Sequence, residues 1–140
     1  MPIVPLHPVL AKDGLWVTEL SACCVLLIND SRYPWLVLVP DRANLTDLDQ
    51  LNEGDMALVM QDIRLGSRVL RRLFEPTKLN VAALGNMVPQ LHIHLIARFS
   101  HDAAWPKPVW GAHPAIPYDK ASRAQRVMQL QQAFVAEQGA

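Results

Sequence analysis

Two histidines spaced two residues apart stand in a segment that alternates between polar and apolar side chains. Residues 90–98 read QLHIHLIAR. Successive side chains of a strand point to opposite faces, so one face is predicted to carry Gln90, His92, His94, Ile96 and Arg98. Two imidazoles and an amide would then follow one another at roughly 7 Å intervals. An imidazole can act as nucleophile, acid, base or metal ligand, so this face is the candidate site.

Three interpretations of the two histidines stay open on residue type and spacing alone. They can be partly buried sheet residues whose hydrogen bonds are satisfied. They can share a Zn²⁺ or non-haem iron, which requires a further ligand such as His101, His113 or an acidic side chain. They can also form a catalytic pair, because a neutral imidazole attacks phosphorus once a hydrogen bond to its other nitrogen fixes the tautomer.

A short loop precedes the histidine segment and has the composition of a phosphate-binding turn. Residues 84–88 read LGNMV. Glycine tolerates positive φ and close approach of a ligand, and successive backbone N–H groups can receive phosphate oxygens. The loop therefore predicts phosphate contacts from Gly85, Asn86, Met87 and Val88.

Together these segments resemble the histidine triad (HIT) superfamily. Its signature has three histidines alternating with apolar residues, preceded by a glycine and an amide side chain. Here the signature region reads QLHIHLI over residues 90–96, with Gly85-Asn86 ahead of it and Asn80 further upstream. Residues 102–111, with their Trp-Pro and Val-Trp-Gly sequences, resemble a bacterial subgroup of small HIT proteins.

The resemblance implies a nucleotide-binding hydrolase or nucleotidyl transferase. Its substrate would be a nucleoside phosphoramidate or a dinucleoside polyphosphate, attacked at the α-phosphate. By position, His92 would be the nucleophile that forms a nucleotidyl-histidine intermediate, and His94 would support the nucleophile and the phosphate. No metal or other cofactor is required. The expected nucleotide-binding residues are Asn29, Asn80, Gly85, Asn86, Met87, Val88 and Arg98, with Arg98 equally suited to an ion pair. A base pocket is expected at Leu27, Ile28 and Leu36 or their neighbours.

Departures from the signature keep two other functions open. Gln90 occupies the first histidine position, where it can form hydrogen bonds but cannot ionise. Met87 stands where a hydroxyl residue is common, and Asn29 stands where an acidic residue often binds ribose. Lost acid–base help typically costs 10²–10⁴-fold in rate. The alternatives are a catalytically weak nucleotide-binding sensor or interaction module and, second, a metal-binding His-x-His protein.

The elements that must position these residues follow a strand, helix, strand, helix order. Strands are predicted at residues 15–20, 22–28, 35–39, 78–84 and 90–99. A long amphipathic helix is predicted from a cap at Thr46 to Pro76, with Asp62 and four arginines on its solvated face. A closing helix is predicted over residues 120–138. The pattern indicates an α+β fold with a five-stranded antiparallel sheet on a long central helix, forming a single domain over residues 1–140.

Composition narrows the possible settings and partners. The chain has 140 residues, 51% of them hydrophobic, with 13 basic and 13 acidic side chains. Zero net charge argues against disorder and against binding of long nucleic acids. Cys23 and Cys24 exclude a disulfide framework and favour a cytoplasmic setting, and no apolar run is long enough to span a membrane. The expected partners are a small-molecule nucleotide and, from the resemblance, a second copy of the chain in a two-fold dimer whose sheets or central helices meet across the axis.

Overall fold

Five antiparallel strands form one sheet in the computed structural model, which describes residues 4–139. The strands are β1 (Gly14–Glu19), β2 (Cys23–Ile28), β3 (Trp35–Pro40), β4 (Lys78–Ala82) and β5 (Ile93–Arg98). Their order across the sheet is β1-β2-β3-β5-β4, so the last strand inserts between β3 and β4. The predicted antiparallel sheet is confirmed, although β4 and β5 are shorter than their apolar patterns indicated.

Three helices accompany the sheet: α1 (Pro8–Asp13), α2 (Glu53–Phe74) and α3 (Lys120–Gln138). The central and closing helices are confirmed, whereas α1 was not predicted. The predicted start of α2 at Thr46 is wrong, because the Asn52 side chain accepts the N–H of Asp55 and caps the helix there. A short 3-10 turn, Leu48–Gln50, occupies the intervening segment. No helix within residues 4–139 is long and apolar enough to cross a membrane.

Asp62 on α2 is buried, which contradicts its predicted place on the solvated face. Its carboxylate accepts the N–H groups of Ala22 and Cys23 at 2.8 and 2.9 Å. A buried carboxylate needs such donors to offset its lost hydration. Asp62 therefore ties the central helix to the turn between β1 and β2.

Both faces of the sheet are covered, by different parts of the chain. The helices α2 and α3 pack on the face that presents Leu36, Leu38 and Leu95. The opposite face carries Val37, His94 and Ile96, where α1 covers one end and residues 99–118 cover the other. Burial on both faces explains why β2 and β3 are continuous apolar runs rather than alternating patterns. The two histidines lie on this second face, next to the segment formed by residues 99–118.

Candidate active site

A cavity of about 710 Å³ opens on the sheet face that carries the histidines. Its volume lies within the range typical of small-molecule sites. His92 and His94 form part of its wall, and the remainder comes from α1, Asp30, Trp35 at the start of β3, the end of β2, the loop before β5 and residues 109–117. Its lining residues from the last three of these segments include Ile28, Asn29, Gly85, Asn86, Met87, Val88, Val109, Trp110, Gly111 and His113.

His92 precedes β5 by one residue and is held by a backbone carbonyl. Its Nδ1 lies 2.7 Å from the carbonyl oxygen of Gln90. A carbonyl only accepts hydrogen bonds, so Nδ1 carries the proton and Nε2 of the neutral ring keeps its lone pair. The side chain is 6% exposed. In the neutral form His92 therefore keeps its lone pair on Nε2.

His94 is held in the opposite tautomer. The indole Nε1–H of Trp35 donates to Nδ1 of His94 at 3.0 Å. An indole only donates, so Nδ1 must accept, and Nε2 of the neutral ring carries the proton. Burial, with a smaller contribution from His92, lowers the pKa of His94 to about 4. His94 thus stays neutral near pH 7 and offers Nε2–H as a donor.

The two imidazoles lie next to each other in an aromatic cluster. Their ring centroids are 4.9 Å apart and their planes meet at 67°. Trp110 approaches His94 edge-on at 5.2 Å and also contacts Trp35 at 6.2 Å. This packing excludes water from one side of His94 and strengthens the electrostatic interactions made there.

The loop before β5 adopts the backbone conformation that its glycine predicts. Gly85 has φ of 75°, in the left-handed region that glycine favours. Val88 is buried against the sheet, while Met87 is 92% exposed at the rim. The structure thus places Gly85, Asn86, Met87 and Val88 along the cavity, beside the two histidines.

Gln90 does not share the cavity with the histidines, contrary to the predicted row of side chains. Its Oε1 accepts the N–H of His7 at 2.7 Å, and its Nε2 donates to the carbonyl of Pro5. The reason is that β5 begins only at Ile93, so strand alternation does not extend to residue 90. The amide side chain therefore secures the N-terminal segment, and only the main-chain carbonyl of Gln90 reaches the site.

Arg98 and Asn80, both predicted to bind nucleotide, instead form a buried network outside the cavity. Arg98 is 2% exposed and pairs with Asp102 at 2.8 Å. It also donates to Oδ1 of Asn80 and to the carbonyl of Lys107, each at 2.8 Å. Of the two roles foreseen for Arg98, the ion pair is the one observed. The network holds residues 102–107 in place, and the chain continues from there into the cavity wall at residues 109–117.

Asn29 lies in the cavity wall, and its side-chain oxygen is already engaged. Oδ1 accepts the backbone N–H of Tyr118 at 2.9 Å. Of the three residues predicted to surround the base, only Ile28 reaches the cavity. Leu27 and Leu36 are themselves 0% exposed in the core beneath the helices, and it is their neighbours Ile28 and Trp35 that line the cavity. Leu27 and Ile28 are adjacent in β2, so their side chains point to opposite faces of the sheet.

Residue-type reasoning missed Trp35 and the contribution of α1. Trp35 begins β3 two residues before Val37, which lies directly opposite His94. That register comes from the strand order, which the sequence pattern does not specify. The α1 lining residues, including Lys12 and Asp13, gave no signal besides a proline at the helix start. Within residues 4–139, no three His, Cys, Asp or Glu side chains cluster closely enough to hold a metal ion.

Comparisons with known proteins agree on one family. The HIT domain matches residues 11–101. A histidine triad protein from Bradyrhizobium japonicum is 41% identical, with a TM-score of 0.91 over 95% of this chain and 99% of its own. Histidine triad proteins from Sinorhizobium meliloti 1021 and Marinobacter aquaeolei VT8 are 35% and 39% identical. Their TM-scores are 0.90 and 0.91, respectively. Both matches cover 94% of this chain, and they cover 97% and 96% of the matched chains, respectively.

No curated protein sequence matches this chain. The solved structures nevertheless share its fold over almost the whole length and exceed 30% identity. The family match also spans the strands, the central helix and both histidines of the site. The expected HIT-like fold is confirmed, and the chain belongs to the HIT domain family of histidine triad proteins.

Proposed function

We propose that the protein is a nucleotide-binding hydrolase or nucleotidyl transferase that acts through His92. Its substrate would be a nucleoside phosphoramidate or a dinucleoside polyphosphate, cleaved at the α-phosphate. The observation that supports this most directly is the 2.7 Å contact between Nδ1 of His92 and the Gln90 carbonyl, which leaves Nε2 free to attack. An imidazole held this way is an activated nucleophile without any metal.

The reaction would proceed in two displacements. Nε2 of His92 forms a bond to the α-phosphorus, and the bond to the leaving nitrogen or oxygen breaks with its electron pair. The departing group takes a proton from solvent. Water, or another acceptor in a transferase, then attacks the same phosphorus and releases the nucleotidyl group, which returns His92 to its neutral form. The Gln90 carbonyl stabilises the imidazolium character of the intermediate through Nδ1–H.

Trapping tests this proposal directly. The protein is incubated with a ³²P-labelled adenosine 5′-phosphoramidate and, in parallel, with labelled diadenosine polyphosphate, then analysed under denaturing alkaline conditions. An acid-labile label on His92 is expected, absent in His92→Asn and retained in His101→Asn, whose histidine is exposed outside the cavity. The proposal would be contradicted by label on a residue other than His92. It would also be contradicted if neither adenosine substrate, nor the corresponding guanosine substrate, left any label on the protein.

A nucleotide-binding module with little catalysis is the second candidate. The observation that favours it is the Gln90 side chain, which binds the N-terminal segment and brings no ionisable group to the cavity. In that case calorimetry detects AMP or GMP binding while the trapping experiment gives no adduct. Binding together with an adduct on His92 would rule this candidate out.

We also propose that the functional unit is a homodimer of single domains spanning residues 1–140. The sheet ends at β4 on one side, and this edge strand carries Val81, which is 50% exposed. Leu84 follows with 46% exposure. An edge strand with apolar side chains pairs readily with another strand. Joining two β4 edges would continue the sheet across a two-fold axis.

A further inference from the structure

We propose that Trp35 is a positioning residue that fixes the tautomer of His94, so that His94 faces the phosphoryl group as a hydrogen-bond donor. The inference rests on the proposed function for the phosphoryl group. The link between Trp35 and His94 can be tested without any nucleotide.

The cross-strand register explains how an indole reaches this imidazole. Val37 of β3 lies opposite His94 of β5, and Trp35 stands two residues earlier on the same face. Such diagonal neighbours are roughly 7–8 Å apart at the backbone, a distance that a long aromatic side chain spans. The ring centroids are 5.7 Å apart, and the Nε1 to Nδ1 distance is 3.0 Å. Strand pairing therefore sets the contact.

The contact is selective because of what an indole cannot do. Trp35 has a single N–H and no acceptor, so a hydrogen bond to Nδ1 is possible only when that nitrogen is unprotonated. A side chain that can also accept, such as histidine or glutamine, would permit either tautomer. With Nδ1 occupied, Nε2–H is the remaining polar group of His94. It can stabilise charge on a phosphoryl oxygen but cannot accept a proton.

The two histidines thereby divide their tasks. His92 is protonated at Nδ1 because a carbonyl faces that atom, and His94 is unprotonated at Nδ1 because an indole faces it. One ring offers a lone pair at Nε2 and the other offers a proton at Nε2. A nucleophile and an electrostatic stabiliser side by side are the two groups that in-line attack at phosphorus requires.

Long-range ¹H–¹⁵N correlation spectra of the nucleotide-free protein at pH 7.5 test the contact. In the wild type we expect His94 to show a protonated-type Nε2 and an unprotonated-type Nδ1, with His92 the reverse. In Trp35→Phe the two His94 resonances should move toward the averaged values of exchanging tautomers. Trp110→Phe is the matched control, because Trp110 touches the same ring without a hydrogen bond to it; the wild-type pattern should remain. A His94 protonated at Nδ1, or a Trp35→Phe spectrum identical to the wild type, would overturn the proposal.

Two further measurements keep the test decisive. If Trp35→Phe does not fold, the Trp35 indole proton reports on the contact in the wild type. It should lie downfield and exchange slowly, and should lose both properties in His94→Asn; an unchanged indole proton would overturn the proposal. Adding AMP or GMP should shift Nε2 of His94, and bound nucleotide that leaves Nε2 unmoved would count against the donor role. Failure of the trapping experiment alone would refute the proposed catalysis and leave the tautomer result standing.

The kinetic effect separates positioning from general structural support. Loss of one fixed donor to a developing oxyanion typically lowers kcat by about 10²–10³-fold. Because Trp35→Phe frees the tautomer without removing His94, we expect a smaller decrease, on the order of 10-fold, with the His92 adduct still formed. An unchanged kcat in a folded Trp35→Phe protein would contradict the positioning role.

Discussion

At the residue scale, the groups around Nδ1 give two neighbouring histidines different chemistry. A carbonyl oxygen faces Nδ1 of His92, and an indole N–H faces Nδ1 of His94. A third polar group of the signature, Gln90, contributes only its main chain to the site. What each side chain can do is therefore decided by its hydrogen-bond partner as much as by its own type.

Asp102 pairs with Arg98 and accepts backbone N–H groups in the segment that leads into the cavity wall. Burial raises its pKa, but the Arg98 guanidinium and the N–H groups of Phe99 and Trp105 outweigh burial and hold the pKa at about 2. Removing one partner of a buried ion pair typically costs about 3–5 kcal/mol, because the other charge is left unpaired. We expect a loss of this order in the free energy of unfolding of Asp102→Asn, measured with urea at pH 7. Asp49→Asn, at an exposed position, should stay within about 0.5 kcal/mol of the wild type.

The same pair fixes a pH dependence. The pKa of Asp102 is lower in the folded chain than its ordinary value of 3.8, so its contribution is complete above pH 3.8 and is lost as the pH falls toward 2. Between those values the wild type should lose stability more steeply than Asp102→Asn. Parallel slopes for the two proteins would show that Asp102 is not the group responsible.

At the scale of elements, α2 approaches β5 closely at a glycine. A Cβ atom built on Gly66 would lie 2.6 Å from Cδ1 of Leu95, which is itself 0% exposed. Leu95 follows His94 directly and points to the opposite face. A glycine in the apolar stripe of the helix thus allows the helix to seat against the strand that carries the site.

Gly66→Ala should therefore destabilise the protein despite the better helix propensity of alanine. Overpacking a buried contact costs about 1–3 kcal/mol. Gly54→Ala, also in α2, meets its nearest atom only at 3.6 Å and should be neutral or slightly stabilising. Denaturation of both variants gives the difference directly. Equal stabilities would mean that Leu95 moves aside without cost and that the close approach is not limiting.

At the scale of the whole molecule, the two sheet edges are unlike. Helices α1 and α3 pack against β1, whereas β4 at the far edge carries an exposed valine. Exposed apolar side chains also occur on the helices, at Met60 of α2 and Met128 of α3. The proposed dimer uses the β4 edge, where backbone pairing can add to apolar burial.

Val81→Lys should convert the dimer to a monomer. A lysine on an edge strand opposes pairing with a second edge, because the charge would have to be buried. Multi-angle light scattering after size exclusion should give a mass of two chains for the wild type and one chain for the variant. Met128→Lys should remain dimeric. If Met60→Lys dissociates the protein and Val81→Lys does not, the central helices form the interface instead.

Local patterns were sufficient for much of this structure. Hydrophobic period and turn residues predicted five strands, their antiparallel sheet, the central helix and the closing helix, and the structure confirms them. They were less reliable at boundaries, as at Thr46, because a cap depends on which side chain meets the first free N–H groups. Extending strand alternation back to residue 90 produced the error at Gln90.

The sequence by itself determined the local features of the site, meaning those that depend only on residues close together in the chain. His92 and His94, the Gly85-Asn86 turn and the alternation of β5 all depend on neighbours within a few residues, where backbone geometry is periodic. Tertiary structure alone decided the long-range pairings. It brought Asn80 to Arg98 across 18 residues of chain, and it brought Trp35 to Nδ1 of His94 across 59. The physical reason is that strand order and register arise from burial of the whole sheet, so no local pattern specifies which side chain faces a given imidazole.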